Sequence, residues 1–325
     1  MSKKNTQAQT ASAETANVKK VYDFCAKKKV ILGILIGVLA ALVIGIIARG
    51  VDLAIEFKGG TIISYTYQGD VDTKAVSDTV KSIVNTSITV RTGESLDSDA
   101  KQITISFTSI EGLTADRQTE LTNALRENFA DNDFALYDSN DVAPTSGREF
   151  LLKCLVAVIF AAIVVIIYIA IRFRNIGGWS AGVCSVFALL HDILVAVTVT
   201  ILFGFEFNSN LVAVILTILG YSINNTIVIY DRIREDRKLM PKASLDELIN
   251  VSCTQSLTRS IRTSITTIST MLIVTIVVLI KGYDSLLSFS VPLMFGLISG
   301  TYSSLFVAPV TWSWWKNKQA KKSSK

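Results

Sequence analysis

The residues best suited to chemistry in this sequence are polar side chains inside long apolar runs. His191 and Asp192 are adjacent in the run ALLHDILVAV. A following run, ILGYSINNTIVIY, contains several neutral polar side chains, among them Tyr221, Ser222, Asn224 and Asn225. A polar or charged group is costly in hydrocarbon and usually faces the interior of a helix bundle or a water-filled path. On the residues alone we favour a functional role for the HD pair over a structural one, and we interpret Ser222 first as a helix–helix contact.

A third polar stretch, SLTRSIRTSITT, stands at the start of a later apolar run. Arg259 lies near the beginning of this stretch. It either belongs to the same path or extends to the aqueous end of its helix, as long basic side chains do. Both interpretations stay open on the residues alone.

The sequence lacks the patterns of common soluble enzymes. It contains no P-loop, no GxGxxG after a strand and no HExxH. His191 is the only histidine, which excludes a histidine-rich metal site within this chain. The four cysteines form no CxxC pair. We predict that the protein is not an enzyme and that it holds neither a cofactor nor a metal.

The elements that position these side chains are predicted membrane helices. Half of the 325 residues are hydrophobic and the mean hydropathy is +0.45, and a span needs about 20 apolar residues. Six runs are long enough: Val30–Ala48, Leu151–Ile171, Trp179–Phe203, Leu211–Tyr230, Thr263–Ile280 and Ser285–Trp312. His191 and Asp192 fall within the third run, and Asn225 falls within the fourth.

Basic residues predict how these spans are oriented. Lysine and arginine are concentrated in the tail 1–29, after the second and fourth spans, and in the tail 313–325. Because cytoplasmic segments carry the excess of basic residues, we expect both termini in the cytoplasm. Basic tails can also bind nucleic acid, but these adjoin membrane spans, so we expect contact with membrane lipid and none with nucleic acid.

The segment 49–148, after the first span, is then expected outside the cytoplasm as an α+β domain. Between Arg49 and Gly147 it has 16 acidic and 8 basic residues, so its charge is opposite to that of the whole chain. The strands and helices predicted there are Thr61–Gln68, Thr73–Val84, Ser87–Arg91, Gln102–Ser106, Ala115–Phe129 and Phe134–Asp138. Their order, β-α-β-β-α-β, is that of the ferredoxin-like motif, with Ser139–Thr145 as a linker back to the membrane.

The membrane region 149–312 holds the other five spans and is interrupted by the polar segment 231–260. We expect this segment to be a cytoplasmic loop that is long enough to hold structure and is broken at Pro241. Within it, Ser244–Leu257 has apolar residues near helical spacing. That spacing favours an interfacial or bundle-packing helix over a dedicated partner-binding helix.

The fourth-span stretch Gly220–Asp236, GYSINNTIVIYDRIRED, closely resembles the motif GYSxNDTVVVFDRIREN of the SecF family. The stretch AIEFKGGT is similar to the family's GIDFxGGT, and His191–Asp192 to its HD pair. FEFN is similar to its EFNL turn, and QSLTRSIRTSITT to its QTLxRTxxTSxTT. These motifs keep the family's order relative to the spans.

The resemblance to SecF implies half of a resistance-nodulation-division bundle, made of six transmembrane helices, in the bacterial inner membrane. It also implies a SecD partner that completes the bundle, association with the SecYEG channel, and use of the proton gradient to draw preproteins outward. In this family the fourth-span acid and the fifth-span arginine are linked to proton movement. The implied ion-pathway candidates are His191, Asp192, Asn225 and Arg259. Candidates for helix packing or coupling are Glu56, Gly59, Gly60, Tyr221, Ser222, Asn224, Asp231 and Arg232.

One departure from the family pattern bears on this mechanism. Asn225 stands where the family has an aspartate, and an amide does not take up and release a proton at accessible pH. Our hypothesis is that proton coupling is weakened in this chain, or is carried by Asp192 with a carboxylate of the partner. Another ion is an alternative.

Two other classes of function are weighed against this one. A small-molecule or lipid exporter of the same superfamily would need a larger exported region with a substrate pocket. A sensor would need a soluble output domain after the last span. The sequence favours neither.

Overall fold

The computed structural model describes residues 21–84, 86, 88–94, 101–108 and 113–323. Within these residues, six helical segments are long and apolar enough to cross a membrane: Cys25–Arg49, Pro144–Arg172, Gly178–Phe203, Ser209–Leu239, Leu245–Lys281 and Leu286–Lys322. The prediction of six membrane helices is confirmed. Most of the helical segments are clearly longer than the predicted apolar runs, because polar residues continue the helix at one or both ends.

The elements are labelled here in chain order. They are α1 (Lys28–Arg49), α2 (Ile55–Lys58), β1 (Gly60–Tyr67), α3 (Thr73–Val84), β2 (Ile88–Glu94), β3 (Lys101–Phe107), α4 (Ala115–Asn128), β4 (Ala135–Val142), α5 (Pro144–Arg172), α6 (Gly178–Phe203), α7 (Ser209–Leu239), α8 (Leu245–Lys281), α9 (Asp284–Tyr302) and α10 (Ala308–Ser323). A π-helical turn, Ser303–Val307, joins α9 to α10.

The four strands form one sheet between the first two spans, in the order β2-β3-β1-β4 with every neighbouring pair antiparallel. Val76 and Val80 of α3 and Leu121 and Leu125 of α4 are fully buried in the core between the helices and the sheet. Burial raises the pKa of the phenol of Tyr65 on β1, whose hydroxyl shares a hydrogen bond with Thr122 of α4. This arrangement is the ferredoxin-like fold, as predicted.

Two predicted boundaries in this domain are not found as predicted in the structure. The predicted linker Ser139–Thr145 is wrong, because β4 continues through it to Val142, pairs with β1, and is followed by α5 from Pro144. The polar side chains there suggested a loop, yet an edge strand satisfies its backbone through its neighbour while its side chains meet water. Proline suits the first position of a helix. The predicted strand start at Ser87 lies outside the described residues.

The segment 231–260 is largely helical: the helix expected at Ser244–Leu257 is present as the first part of a longer helix, and the chain is non-helical only around Pro241. Helix α7 continues to Leu239 and α8 begins at Leu245, so Ser244–Leu257 belongs to the start of the fifth span and is not a separate helix. Pro241 stops α7, and the Ser244 hydroxyl accepts a hydrogen bond from the backbone N–H of Glu247 at 3.2 Å, which caps α8. Ion pairs of Asp231 with Arg172 and Arg234 stabilise the helical form of this polar segment.

Two glycines allow the close approach of backbones where the sheet meets the membrane helices. Gly59 has φ +83°, and a Cβ there would lie 2.5 Å from the Cα of Pro144. Gly60 has φ +144°, and a Cβ there would lie 2.3 Å from the carbonyl oxygen of Phe107. Both positions combine a left-handed backbone with contact against other backbone atoms, so both require glycine.

We expect Gly59→Ala to lower the free energy of unfolding by roughly 2–4 kcal/mol, because backbone strain and overpacking add. Gly37→Ala on α1 is the matched control, since a Cβ there meets nothing within 4 Å. Unfolding in detergent, followed by tryptophan fluorescence, measures both variants. If the two substitutions lowered the free energy of unfolding by the same amount, the packing role of Gly59 would be refuted.

Candidate functional site

Asp192, in the middle of α6, is fully buried and accepts three hydrogen bonds from serine hydroxyls. Ser222 of α7 donates to Oδ2 at 2.7 Å, and Ser303, at the π-helical turn, donates to the same oxygen at 2.6 Å. Ser299 of α9 donates to Oδ1 at 2.6 Å. We call these three residues the serine cage. It satisfies a carboxylate that would otherwise be very unfavourable in the membrane interior.

The cage depends on close packing between α7 and α9. Ser299 and Ser303 are four residues apart and so lie on one face of their helix. Gly296 and Gly300 have the same spacing, and a Cβ on Gly300 would lie 3.2 Å from the Cβ of Ser222. Small residues four apart let membrane helices approach closely. This approach brings Ser222 and Ser303 within reach of the same carboxylate oxygen.

His191 extends the site. Its Nδ1 lies 3.3 Å from Asp192 Oδ1 and 3.3 Å from the Ser299 hydroxyl. Its Nε2 is buried and has no hydrogen-bond partner among the described residues. No lysine or arginine in the described part of the chain forms an ion pair with Asp192. Among the described residues, the side chains that contact the carboxylate are three serines and one imidazole.

A second polar group lies beside the serine cage and joins three helices. The Tyr221 hydroxyl of α7 donates to Ser264 of α8 at 2.9 Å, and Thr301 of α9 donates to the same oxygen at 2.9 Å. Tyr221 thus connects α7 to α8.

Asn225 and Arg259 are not hydrogen-bonded to Asp192. Asn225 is buried, and its Nδ2 has no partner within the described residues. Arg259 is exposed on α8, and Asn224 is exposed on α7. Of the four ion-pathway candidates, only His191 and Asp192 lie within hydrogen-bond distance of each other.

Arg259 begins an exposed polar stripe along α8. Arg262, Thr263, Thr266 and Thr270 follow it at helical spacing, and all are exposed. The threonines bond to carbonyls of their own helix, as Thr266 does to Arg262 at 3.0 Å. Two arginines and a row of hydroxyls on a membrane helix are unfavourable against lipid. This face is therefore suited to a polar protein neighbour.

Asp231 and Arg232 belong to an ion-pair network at the far end of α7. Asp231 pairs with Arg172 of α5 at 3.1 Å and with Arg234 at 2.6 Å. The Arg232 Nε donates to Gln255 of α8 at 2.6 Å. These contacts tie the ends of α5, α7 and α8 together.

Glu56 contacts the opposite end of α7, where the helix begins. Its Oε2 accepts from the backbone N–H of Ser209 at 2.8 Å, which satisfies a free N–H at the helix start. The neighbouring Glu206 pairs with Arg91 of β2 at 3.2 Å. The helix that carries Ser222 is thereby fastened to the sheet domain.

Ser299 and Ser303 were not among the predicted site residues. Their signal is present in LMFGLISGTYSSLF, where two serines four apart each stand three residues after a glycine. Hydroxyls on one face of a predicted span are candidates for a buried polar partner. Only the packing shows that the partner is Asp192.

Comparisons with known proteins identify the family. The family model described as protein export membrane protein SecD/SecF, C-terminal, matches residues 121–318. The protein translocase subunit SecF of Petrotoga mobilis is 33% identical over 294 residues, which are 88% of this chain and 93% of that protein. The protein translocase subunit SecDF of Bacillus subtilis is 41% identical over 186 residues, which are 56% of this chain and 24% of that one.

The fold also matches solved structures. The crystal structure of SecDF from Thermus thermophilus, described as a translocon-associated membrane protein, has a TM-score of 0.75 and 28% identity over 93% of this chain. This chain covers 39% of that SecDF chain, and 40% of a SecDF structure in a super-membrane-facing form. By the family match and by these relatives, the chain belongs to the SecD/SecF family of protein export membrane proteins.

Proposed function

We propose that this chain is the SecF-type subunit of a bacterial Sec protein translocase. It acts with a SecD-like subunit and the SecYEG channel, and it uses an ion gradient to draw preproteins outward. The observation that carries the proposal is the buried Asp192 within the serine cage. The names of the relatives point to the same role. The work is mechanical, and no covalent product forms.

Protonation of Asp192 changes which helices are bonded to α6. The ionised carboxylate accepts from all three serines. A protonated carboxyl becomes a donor at one oxygen, so a serine that donated there must reverse or withdraw. Because the serines lie on α7, on α9 and at the π-helical turn, proton uptake shifts these elements relative to α6. A two-state rearrangement of this kind is what alternating access requires.

Helix α7 transmits this shift to the sheet domain. Ser222 lies in its middle, and Glu56 and the Arg91–Glu206 pair lie at its start. In this proposal the sheet domain is outside the cytoplasm and both termini are inside, in accord with the basic residues. Movement of α7 then moves the domain that meets the emerging preprotein.

The exposed polar stripe of α8 supports a SecD-like partner. The Bacillus subtilis and Thermus thermophilus relatives are SecDF proteins, longer than this chain, in which it covers one part. A partner with the complementary half would cover Arg259 and the threonines. It would also supply the second carboxylate that Asn225 does not provide.

The test is purification of the tagged chain from its own membranes in mild detergent, with identification of the co-eluting proteins. We expect a SecD-like protein at an equal molar ratio. In inverted membrane vesicles depleted of the chain, gradient-dependent preprotein translocation should fall and return on complementation. A chain that elutes alone and is dispensable for translocation would refute the proposal.

The Arg91–Glu206 pair provides a prediction that separates ion movement from mechanical work. Glu206→Gln weakens a half-buried contact that contributes on the order of 1 kcal/mol. We expect translocation to slow by roughly twofold to fivefold while ion flux is unchanged. Glu149→Gln is the control, because Glu149 pairs with Lys153 in an exposed position. A loss of ion flux in Glu206→Gln would contradict a purely mechanical role.

A further inference from the structure

Two adjoining cavities lie at the end of the bundle where α1 begins and α10 ends. The first, the apolar groove, has a volume of about 510 Å³. Among the residues that line it are Ile31, Leu32 and Leu35 of α1, Phe187 of α6, and Val310 and Trp314 of α10. Leu32 and Phe187 are partly exposed, so the groove is open to the hydrocarbon of the bilayer.

The second, the basic cavity, has a volume of about 440 Å³ and shares Val183 and Trp315 with the groove. Arg174 and Lys316 line it. The Lys316 Nζ lies 3.0 Å from the position that a Cβ on Gly177 would take, so the ammonium rests over the backbone turn before α6.

Cations without carboxylate partners surround both cavities at their aqueous end. Lys28 and Lys29 line the apolar groove, and Arg174 and Lys316 line the basic cavity. None of the four forms an ion pair with any described residue, although other basic residues of the bundle, such as Arg172 and Arg234, are paired. Four unpaired cations beside an apolar groove form a surface complementary to an anion with a hydrocarbon tail.

Tryptophan marks the depth of this surface. The chain has four tryptophans, and three of them, Trp179, Trp314 and Trp315, line the two cavities. Tryptophan is favoured at the level of the lipid headgroups. The cations therefore lie where phosphate groups lie, and the apolar groove runs from there into the bilayer.

We propose that this site binds an anionic phospholipid of the bilayer, with an acyl chain in the apolar groove and its phosphate against Lys28 and Lys29. Arg174 and Lys316 hold the rest of the headgroup or a second phosphate. A basic peptide segment would be repelled by these cations, and an apolar helix would leave them unsatisfied. The proposal does not depend on the role of Asp192 or on protein export.

Quenching of tryptophan fluorescence by brominated lipid tests this site directly. Because the tryptophans are concentrated at this end of the bundle, their emission reports on lipid in the groove. The full chain is reconstituted in phosphatidylcholine vesicles that contain increasing fractions of brominated phosphatidylglycerol or brominated phosphatidylcholine. We expect brominated phosphatidylglycerol to reach half-maximal quenching at the lower mole fraction.

In the variant Lys28→Gln/Lys29→Gln, the mole fraction of brominated phosphatidylglycerol at half-maximal quenching should rise by roughly 25-fold. This is about fivefold for each charge removed. The control Lys238→Gln/Lys242→Gln removes two exposed charges near the end of α7, away from the cavities, and should leave it unchanged. Equal quenching by the two brominated lipids would overturn the proposal. So would a control variant that raises the mole fraction at half-maximal quenching as much as Lys28→Gln/Lys29→Gln does. So would loss of the preference when the chain is co-purified with a SecD-like protein, because that protein would then occupy the groove.

Discussion

Asp192→Asn should reduce proton flux to the level of protein-free vesicles when the chain is reconstituted with its SecD-like partner. Asparagine keeps the size of the side chain and can still hydrogen-bond to the serine cage, but it does not release a proton. Gradient-driven preprotein translocation should be lost with the flux.

Asn225→Ala is the matched control for this experiment. Asn225 is buried on α7, one turn from Ser222, but it is not bonded to Asp192. We expect its removal to leave flux close to that of the wild type. The opposite pattern, with normal flux in Asp192→Asn and lost flux in Asn225→Ala, would show that the pathway passes through the amide and would defeat the proposal.

The sequence is sufficient to predict the six spans and the ferredoxin-like domain. Both follow from local patterns: apolar runs of bilayer length, and the alternation of strand and helix periods. The burial of His191 and Asp192 also follows, because polar side chains within an apolar run have to face other helices.

The serine cage could not be predicted in the same way. Whether Ser299 meets Asp192 depends on how α9 packs against α6 and α7, and on the π-helical turn that follows. That packing is decided by contacts far apart in the chain, such as Gly300 against Ser222. The continuity of Ser244–Leu257 with the fifth span could not be predicted, for a related reason. Asp231 and Arg232 form contacts to other helices that stabilise the helical form of this polar segment.

Removal of two serines from the cage should have the largest effect on stability. In Ser299→Ala/Ser303→Ala the buried carboxylate keeps one of its three hydroxyl donors. Hydrogen bonds to charged groups contribute about 1.5–3 kcal/mol each, so the free energy of unfolding should fall by roughly 3–6 kcal/mol. Titration with a denaturing detergent in mixed micelles measures this loss.

The same pair of substitutions in the Asp192→Asn background distinguishes the cage from ordinary packing. Hydrogen bonds from the hydroxyls to a neutral amide contribute less than those to a carboxylate. In this background the free energy of unfolding should therefore fall by only about 1–3 kcal/mol. Ser185→Ala/Ser304→Ala is the control, because these buried hydroxyls bond to backbone carbonyls of Ala181 and Thr301 in their own helical segments. This control pair should lower the free energy of unfolding by the same small amount with and without Asp192→Asn. If the cage serines cost the same with and without the charge, the hydroxyls serve helix packing alone, and Asp192 is not held as an ionised group within the membrane.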